Sequence, residues 1–177
     1  MTLQYSQTVS AVTMGNAPLV AVRSPAVNDR VIGRERANWI GRQVGGLGGT
    51  FLEMSSDQPV GEVVARAFAD GLRLRGLLAA DEAQAPYILA ITMHQLDVSR
   101  YGRTEGTADF SLVLSERATG REIWRDRHRI QNIEGSAMSL AGMPIMAQEI
   151  RDSALLSMNQ AVDALLDKDE FRAALRR

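Results

Sequence analysis

The chain contains no cysteine, so it has no disulfide framework, thiolate metal site or thiol nucleophile. That absence suits a bacterial cytosol and a periplasm equally well. Histidine occurs only twice, at His94 and His128, so a zinc site would need carboxylates to complete it. There is only one lysine, Lys168, and the other basic residues are arginines. Neither sign of charge dominates. Twenty basic residues stand against 21 acidic ones, a formal net charge of −1, which argues against bulk attraction to nucleic acid. No apolar run approaches the ~20 residues that a membrane-spanning helix needs. The opening Met1-Thr2-Leu3 has neither a basic n-region nor an apolar h-region, as in a cytosolic protein or a mature domain that follows a removed signal. No serine lies in a Gly-x-Ser-x-Gly elbow, and no Gly-Lys-Ser/Thr phosphate loop is present.

What is present suits one globular domain. A chain of 177 residues with 45% apolar content can bury one sizeable core. The domain is expected to span 1–177, with an N-terminal arm at 1–17 and a frayed tail at 167–177. Residues 19–22 form a short apolar run, and 31–33 and 50–54 read as further short strands. The glycines between 41 and 49 read as a flexible connection. Ser55, Ser56 and Asp57 offer caps for a helix, and Pro59 suits its first turn. Val60, Val63, Val64, Ala67, Phe68, Gly71 and Leu72 make one apolar stripe, and Gly76 stops the helix. Residues 87–98 are rich in strand formers. Ala108, Phe110, Leu112 and Leu114 alternate with Asp109, Ser111 and Ser115, the period of a half-buried strand. Thr119-Gly120 turns the chain into a returning strand over 121–130. A loop over 132–144 leads to a second long helix over 145–166, whose buried stripe is Ile150, Ala154, Met158, Ala161, Val162 and Leu165. The expected fold class is α+β. It is a two-layer sandwich in which an antiparallel sheet, a three-stranded meander plus N-terminal strands, carries two long helices on one face.

Three segments carry a resemblance: Asn28-Asp29-Arg30 followed by Ile32-Gly33, the helix end Arg75-Gly76-Leu77, and the strand-closing Thr119-Gly120-Arg121-Glu122-Ile123-Trp124. With the element order, they make the chain resemble the YajG family of bacterial lipoproteins from about Leu3 to the second helix. The resemblance implies a domain on the periplasmic side of the outer membrane. The anchor would be an N-terminal lipid on a cysteine that this chain lacks. It implies no enzymatic activity, no catalytic residues and no cofactor.

Candidate sites are few. Arg121, Arg125, Arg127 and Arg129 share strand parity and are expected on one sheet face, near Asp109 and Glu105, with Trp124 and Ile130 toward the helices. Such a row either grips phosphate groups or forms a solvated, partly neutralised face. Met138, Leu140, Met143, Ile145 and Met146 concentrate apolar area between the last strand and the last helix, where they close the core or contact a partner or lipid tail. Asp29 is expected to accept backbone hydrogen bonds in a turn, with Arg30 pairing locally. The histidines are expected on strands separated by a third, which disfavours a shared metal. The expected function is that of a non-enzymatic adaptor or assembly component with an envelope protein partner and no nucleic acid. The alternative is a carrier of a lipid or glycan fragment between the sheet and the Met-rich loop.

Overall fold

The computed structural model describes residues 2–8, 19–29, 36–44, 50–101, 103–134 and 147–176. Among them the chain forms strands β1 (Val20–Val22), β2 (Val27–Asn28), β3 (Trp39–Val44) and β4 (Thr50–Ser55), then helix α1 (Val60–Leu74). Strands β5 (Tyr87–Tyr101), β6 (Arg103–Glu116) and β7 (Glu122–Glu134) follow, then helices α2 (Ala147–Leu166) and α3 (Asp169–Ala174). The expected strand at 31–33 lies outside the described residues.

The spine of the sheet is β5. Along one edge it pairs antiparallel with β6, which pairs antiparallel with β7, so the meander is as expected. Along its other edge run β1, β2 and β3, each parallel to β5. The sheet is therefore mixed, with antiparallel pairs dominant, and β4 closes the far side against β3. Gly41 shows why β3 can run into the glycine-rich segment, whose first part is strand and not a flexible connection. A Cβ there would stand 2.5 Å from the Val98 carbonyl oxygen, so a side chain would push β3 off β5.

Alternation decides which sheet face is covered. Ala108, Phe110, Leu112 and Leu114 of β6 are fully buried, as are Leu89, Met93, Leu96 and Val98 of β5. These meet the stripes of α1 and α2, which join them in one core. Phe68 of α1 meets Phe110 edge-on, with ring centroids 5.7 Å apart, a geometry that adds about 0.5–1.5 kcal/mol beyond area burial.

The start of α1 differs from the expectation. β4 continues through Ser55, the N-cap is Pro59, and no side chain caps the helix. Proline has no side-chain acceptor, so the tertiary fold supplies one: the Ala37 carbonyl accepts from Val60 N–H at 2.8 Å. The other end is as expected. Gly76 takes φ 69°, and Leu77 N–H reaches the Leu72 carbonyl at 2.9 Å, which closes the helix in a Schellman arrangement.

The termini are more firmly held than an arm and a frayed tail would be. Leu3 and Tyr5 are buried in the core. Residues 169–174 form α3, where Phe171 is fully buried and meets Trp124 with ring centroids 5.1 Å apart. Arg75 is also buried. Its guanidinium lies 2.9 Å from Asp163 and 2.6 Å from Asp167 of the α2 end, and 2.9 Å from the Gly71 carbonyl. Asp163 in turn accepts from the Thr8 N–H at 2.7 Å, the Thr8 hydroxyl at 2.6 Å, and the Tyr5 hydroxyl. Burial works against the Asp163 charge, but these donors outweigh it and hold the carboxyl below the usual range. Burial, then the bond to Asp163, pushes the Tyr5 phenol up to about 12. One carboxylate therefore ties the arm to both long helices.

Candidate functional site

With one face of the sheet under the helices, the other face of β5, β6 and β7 carries the polar side chains. Arg125, Arg127 and Arg129 project there from β7, opposite Val113, Ser111 and Asp109 of β6. Arg121 does not belong to the row. The register shifts between Leu114, which faces Trp124, and Ser115, which faces Glu122. The extra residue reverses parity before it and places Arg121 ahead of β7, 3.8 Å from Glu116. A one-residue bulge leaves no trace in local alternation, so sequence parity could not reveal it.

The three remaining arginines differ in their commitments. Arg127 grips Asp109 with both arms, Nε to Oδ1 at 2.8 Å and Nη2 to Oδ2 at 2.7 Å. Asp109 is only 2% exposed. The Arg127 hydrogen bonds hold its carboxyl below the usual range, against the opposing effect of burial. Arg125 pairs with Glu122 at 2.6 Å, both well exposed, so the pair contributes little to stability. Arg129 makes no hydrogen bond or ion pair among the described residues. Trp124 and Ile130 pack against the core, as expected.

Next to Asp109 lies a cluster that local sequence gave no signal for. His94 follows the core-facing Met93 and shares the parity of Thr92, which faces Ser111, so it lies on the polar face; the bulge after Met93 places Gln95 there as well, opposite Asp109. Nε2 of His94 lies 2.7 Å from the Ser111 hydroxyl, and its Nδ1 lies 3.2 Å from the Asp29 carboxylate. Asp29 sits just beyond β2, with its N–H on the Met93 carbonyl at 2.9 Å. Its carboxylate thus meets a histidine 65 positions away in sequence; Arg30 lies outside the described residues. His128 stands across β6 from β5, so the two histidines do occupy strands separated by a third.

The order Ser111, His94, Asp29 is that of a nucleophile, a base and an orienting carboxylate. Among the described residues no free backbone donors accompany Ser111 as an oxyanion hole would require. Ser111 sits within a central strand flanked on both sides, and its backbone donors belong to ladders rather than to a free turn. The nearby guanidinium of Arg127 is occupied by Asp109. The arrangement holds β2 to the meander.

Met138, Leu140, Met143, Ile145 and Met146 lie outside the described residues, as do Gly45, Gly46, Gly48 and Gly49. Two shallow hollows occur at the far end of the sheet. One of about 320 Å³ is lined by 83–87 and 116–118, and one of about 290 Å³ by Tyr87, Glu116, Arg121, Glu122, Ile123 and Ala174. Among the described residues no helix is long and apolar enough to cross a membrane, and no group of three His, Asp or Glu could hold a metal ion.

These features define a two-layer α+β domain whose sheet has one broad, charged face that no helix among the described residues covers. No family model matches the chain, and no curated protein matches its sequence. Solved structures match by fold. A protein from Xanthomonas campestris, of the family model DUF330, superposes with TM-score 0.62 at 14% identity over 97% of both chains. A second structure, of an uncharacterized protein, has TM-score 0.52 at 12% identity, covering 93% of this chain and 97% of that one. A candidate lipoprotein from Caulobacter crescentus gives 0.49 at 16% identity, covering 77% and 92%. At such identities the first two likenesses establish a shared fold.

Proposed function

We propose that this chain is the folded domain of a bacterial envelope lipoprotein and acts as a non-enzymatic adaptor or assembly component. It would face the periplasm from the outer membrane through an N-terminal lipid. The observation that carries the reading is the sheet face that no helix among the described residues covers. It is broad, polar and ordered by its own ion pairs, which is the form of a surface for another macromolecule and not of a cleft for a reacting molecule. The resemblance of the helix end and strand turn to YajG supports the location. The Met-rich segment 138–146 would add apolar contact area, with Met143 and Met146 as its first test positions.

The test has two arms. Protein expressed from its native gene should fractionate with outer membranes and carry lipid at its processed N-terminus. A photo-crosslinking residue at Ser99 or Gln131, both exposed, should give discrete adducts with one partner, and one at Arg66 on the exposed side of α1 should not. A soluble protein with no discrete adduct from either face would refute the reading. The carrier alternative predicts a co-purifying small-molecule adduct by native mass spectrometry; a clean protein mass would count against it.

A further inference from the structure

The sheet path ends at β7, and among the described residues no strand lies beyond it. Its outer edge is 13 residues long. The Arg127 N–H turns to the Asp126 carboxylate at 2.7 Å and not to β6. In an antiparallel ladder the N–H and C=O of one residue point the same way, and alternate residues share that direction. Arg125, Arg129, Gln131 and Ile133 therefore also direct their backbone groups away from β6. Their side chains are exposed, Ile133 by 51%. Among the described residues no strand pairs with this edge; one of its donors, the Arg127 N–H, is taken by Asp126, and its open face is basic from Arg125 to Arg129.

We propose that the outer edge of β7 accepts an extended acidic protein segment as an added strand. Carboxylates at alternate positions of that segment would meet Arg129 and Arg125. The inference rests on the adaptor reading for its claim that the partner is a protein. Charge selects the occupant. A second copy of this chain fits poorly: in the antiparallel register centred on His128, Arg127 of each copy would face Arg129 of the other, and like charges directly opposite destabilise a strand pair. The same arginines that oppose self-pairing favour a strand with carboxylates at every second residue. The carboxylates near this edge are themselves engaged: Glu105 of β6 accepts from the Gln131 side chain and lies 3.8 Å from Arg103, and Asp29, whose charge acts on Arg127, contacts His94. Glu122 and Glu134 lie at the ends of β7, and Glu122 is held by Arg125. Asp126, on the helix side, is held by Lys168. Arg127 is committed to the buried Asp109, and Arg129, which acts on that carboxylate only through its charge, makes no hydrogen bond or ion pair of its own among the described residues. Backbone pairing would supply affinity and the arginines specificity, as in recognition by strand addition.

The test uses a fluorescent peptide of about ten residues alternating Glu and Val, titrated into the intact protein by anisotropy. Saturable binding is expected. Arg129→Glu should weaken it roughly tenfold or more, and a peptide with Lys in place of Glu should regain binding to that variant. Gln131→Pro removes one outward N–H while leaving every arginine, and should weaken binding similarly; Gln131→Ala should not. Peptides N-methylated along one edge or the other keep the protein unaltered, and one of the two should lose binding. Failure of the wild type to bind would overturn the proposal. So would equal binding by Gln131→Pro and both methylated peptides, which would mean charge attraction without strand pairing. Self-association abolished by Gln131→Pro would replace the acidic segment with a second copy. A discrete crosslink from the open face alongside a negative peptide titration would overturn this edge assignment and leave the adaptor reading standing.

Discussion

Replacing Asp163 with alanine tests whether one buried carboxylate organises the joint between the arm and both helices. The Arg75 side chain is 1% exposed and that of Asp163 3%, so water cannot substitute for a lost partner. Breaking a buried ion pair costs about 3–5 kcal/mol. Asp167 remains at 2.6 Å from Arg75 and softens that loss. Against this, the buried Tyr5 hydroxyl loses its acceptor, at about 1–3 kcal/mol, while the exposed Thr8 can turn its two donors to water. A net loss of about 3–5 kcal/mol is expected. For a chain of this length each kcal/mol lowers the melting temperature by about 2–4 °C, so the midpoint should fall by roughly 6–20 °C. Urea denaturation should show a lower midpoint at an unchanged slope, and limited proteolysis should cut the arm before the body. Arg75→Met alone should also destabilise, because it leaves Asp163 charged and buried. Combined with Asp163→Leu it should recover part of the loss, for a coupling energy of about 2 kcal/mol or more. A fall below about 1 kcal/mol for Asp163→Ala, or strict additivity in the cycle, would refute the reasoning.

Tyr5 contributes a stability term that is complete below its unfolded pKa of about 10 and is lost as pH rises toward 12; urea midpoints should fall over that range in the wild type and less steeply in Tyr5→Phe. The depressed carboxyls of Asp163 and Asp109 act in the opposite direction, so stability should fall as pH drops below the usual Asp range, and less so in Asp109→Asn. Phe171→Ala should cost about 3–5 kcal/mol in chemical denaturation if α3 is docked as described, and almost nothing if the tail is frayed. A fluorophosphonate probe should leave Ser111 unlabelled, because among the described residues no oxyanion hole accompanies the His94 contact. Labelling that disappears in Ser111→Ala would reopen the enzymatic reading.

Much of the architecture was legible because two periods run cleanly through the sequence. The two-residue alternation over 108–115 identified the covered sheet face, and the helical stripes of α1 and α2 identified what covers it. Gly76 and Gly120 marked a helix end and a turn because each takes a positive φ. The parallel partnership of β1, β2 and β3 with β5 was not legible, since each is too short to show which way it runs along the spine. The α1 cap was misassigned for a similar reason. Local oxygens at Ser56 and Asp57 were the visible candidates, whereas the acceptor used is a backbone carbonyl from Ala37, and carbonyls carry no sequence signal.

The candidate site was less legible than the fold because its defining contacts join distant positions through irregularities. Arg121 was misplaced by a bulge near Ile123, and a second bulge after Met93 turns Gln95 onto the polar face next to His94. Each is a single inserted residue, invisible to composition yet sufficient to reverse which side of the sheet a side chain joins. The two bulges also act together. The first keeps Arg121 out of the cationic row, so that Arg125, Arg127 and Arg129 stand on one straight edge. The second adds Gln95 to the open face beside His94, whose contacts with Asp29 and Ser111 tie β2 to the meander behind that row. The cross-strand bonds that Arg127 donates to Asp109 then fix Arg127, while Arg129 makes no hydrogen bond or ion pair among the described residues. A flexible row of arginines would lose side-chain entropy on meeting any partner. This one is partly ordered in advance, which favours a partner whose carboxylates repeat at strand spacing over a diffuse anionic surface.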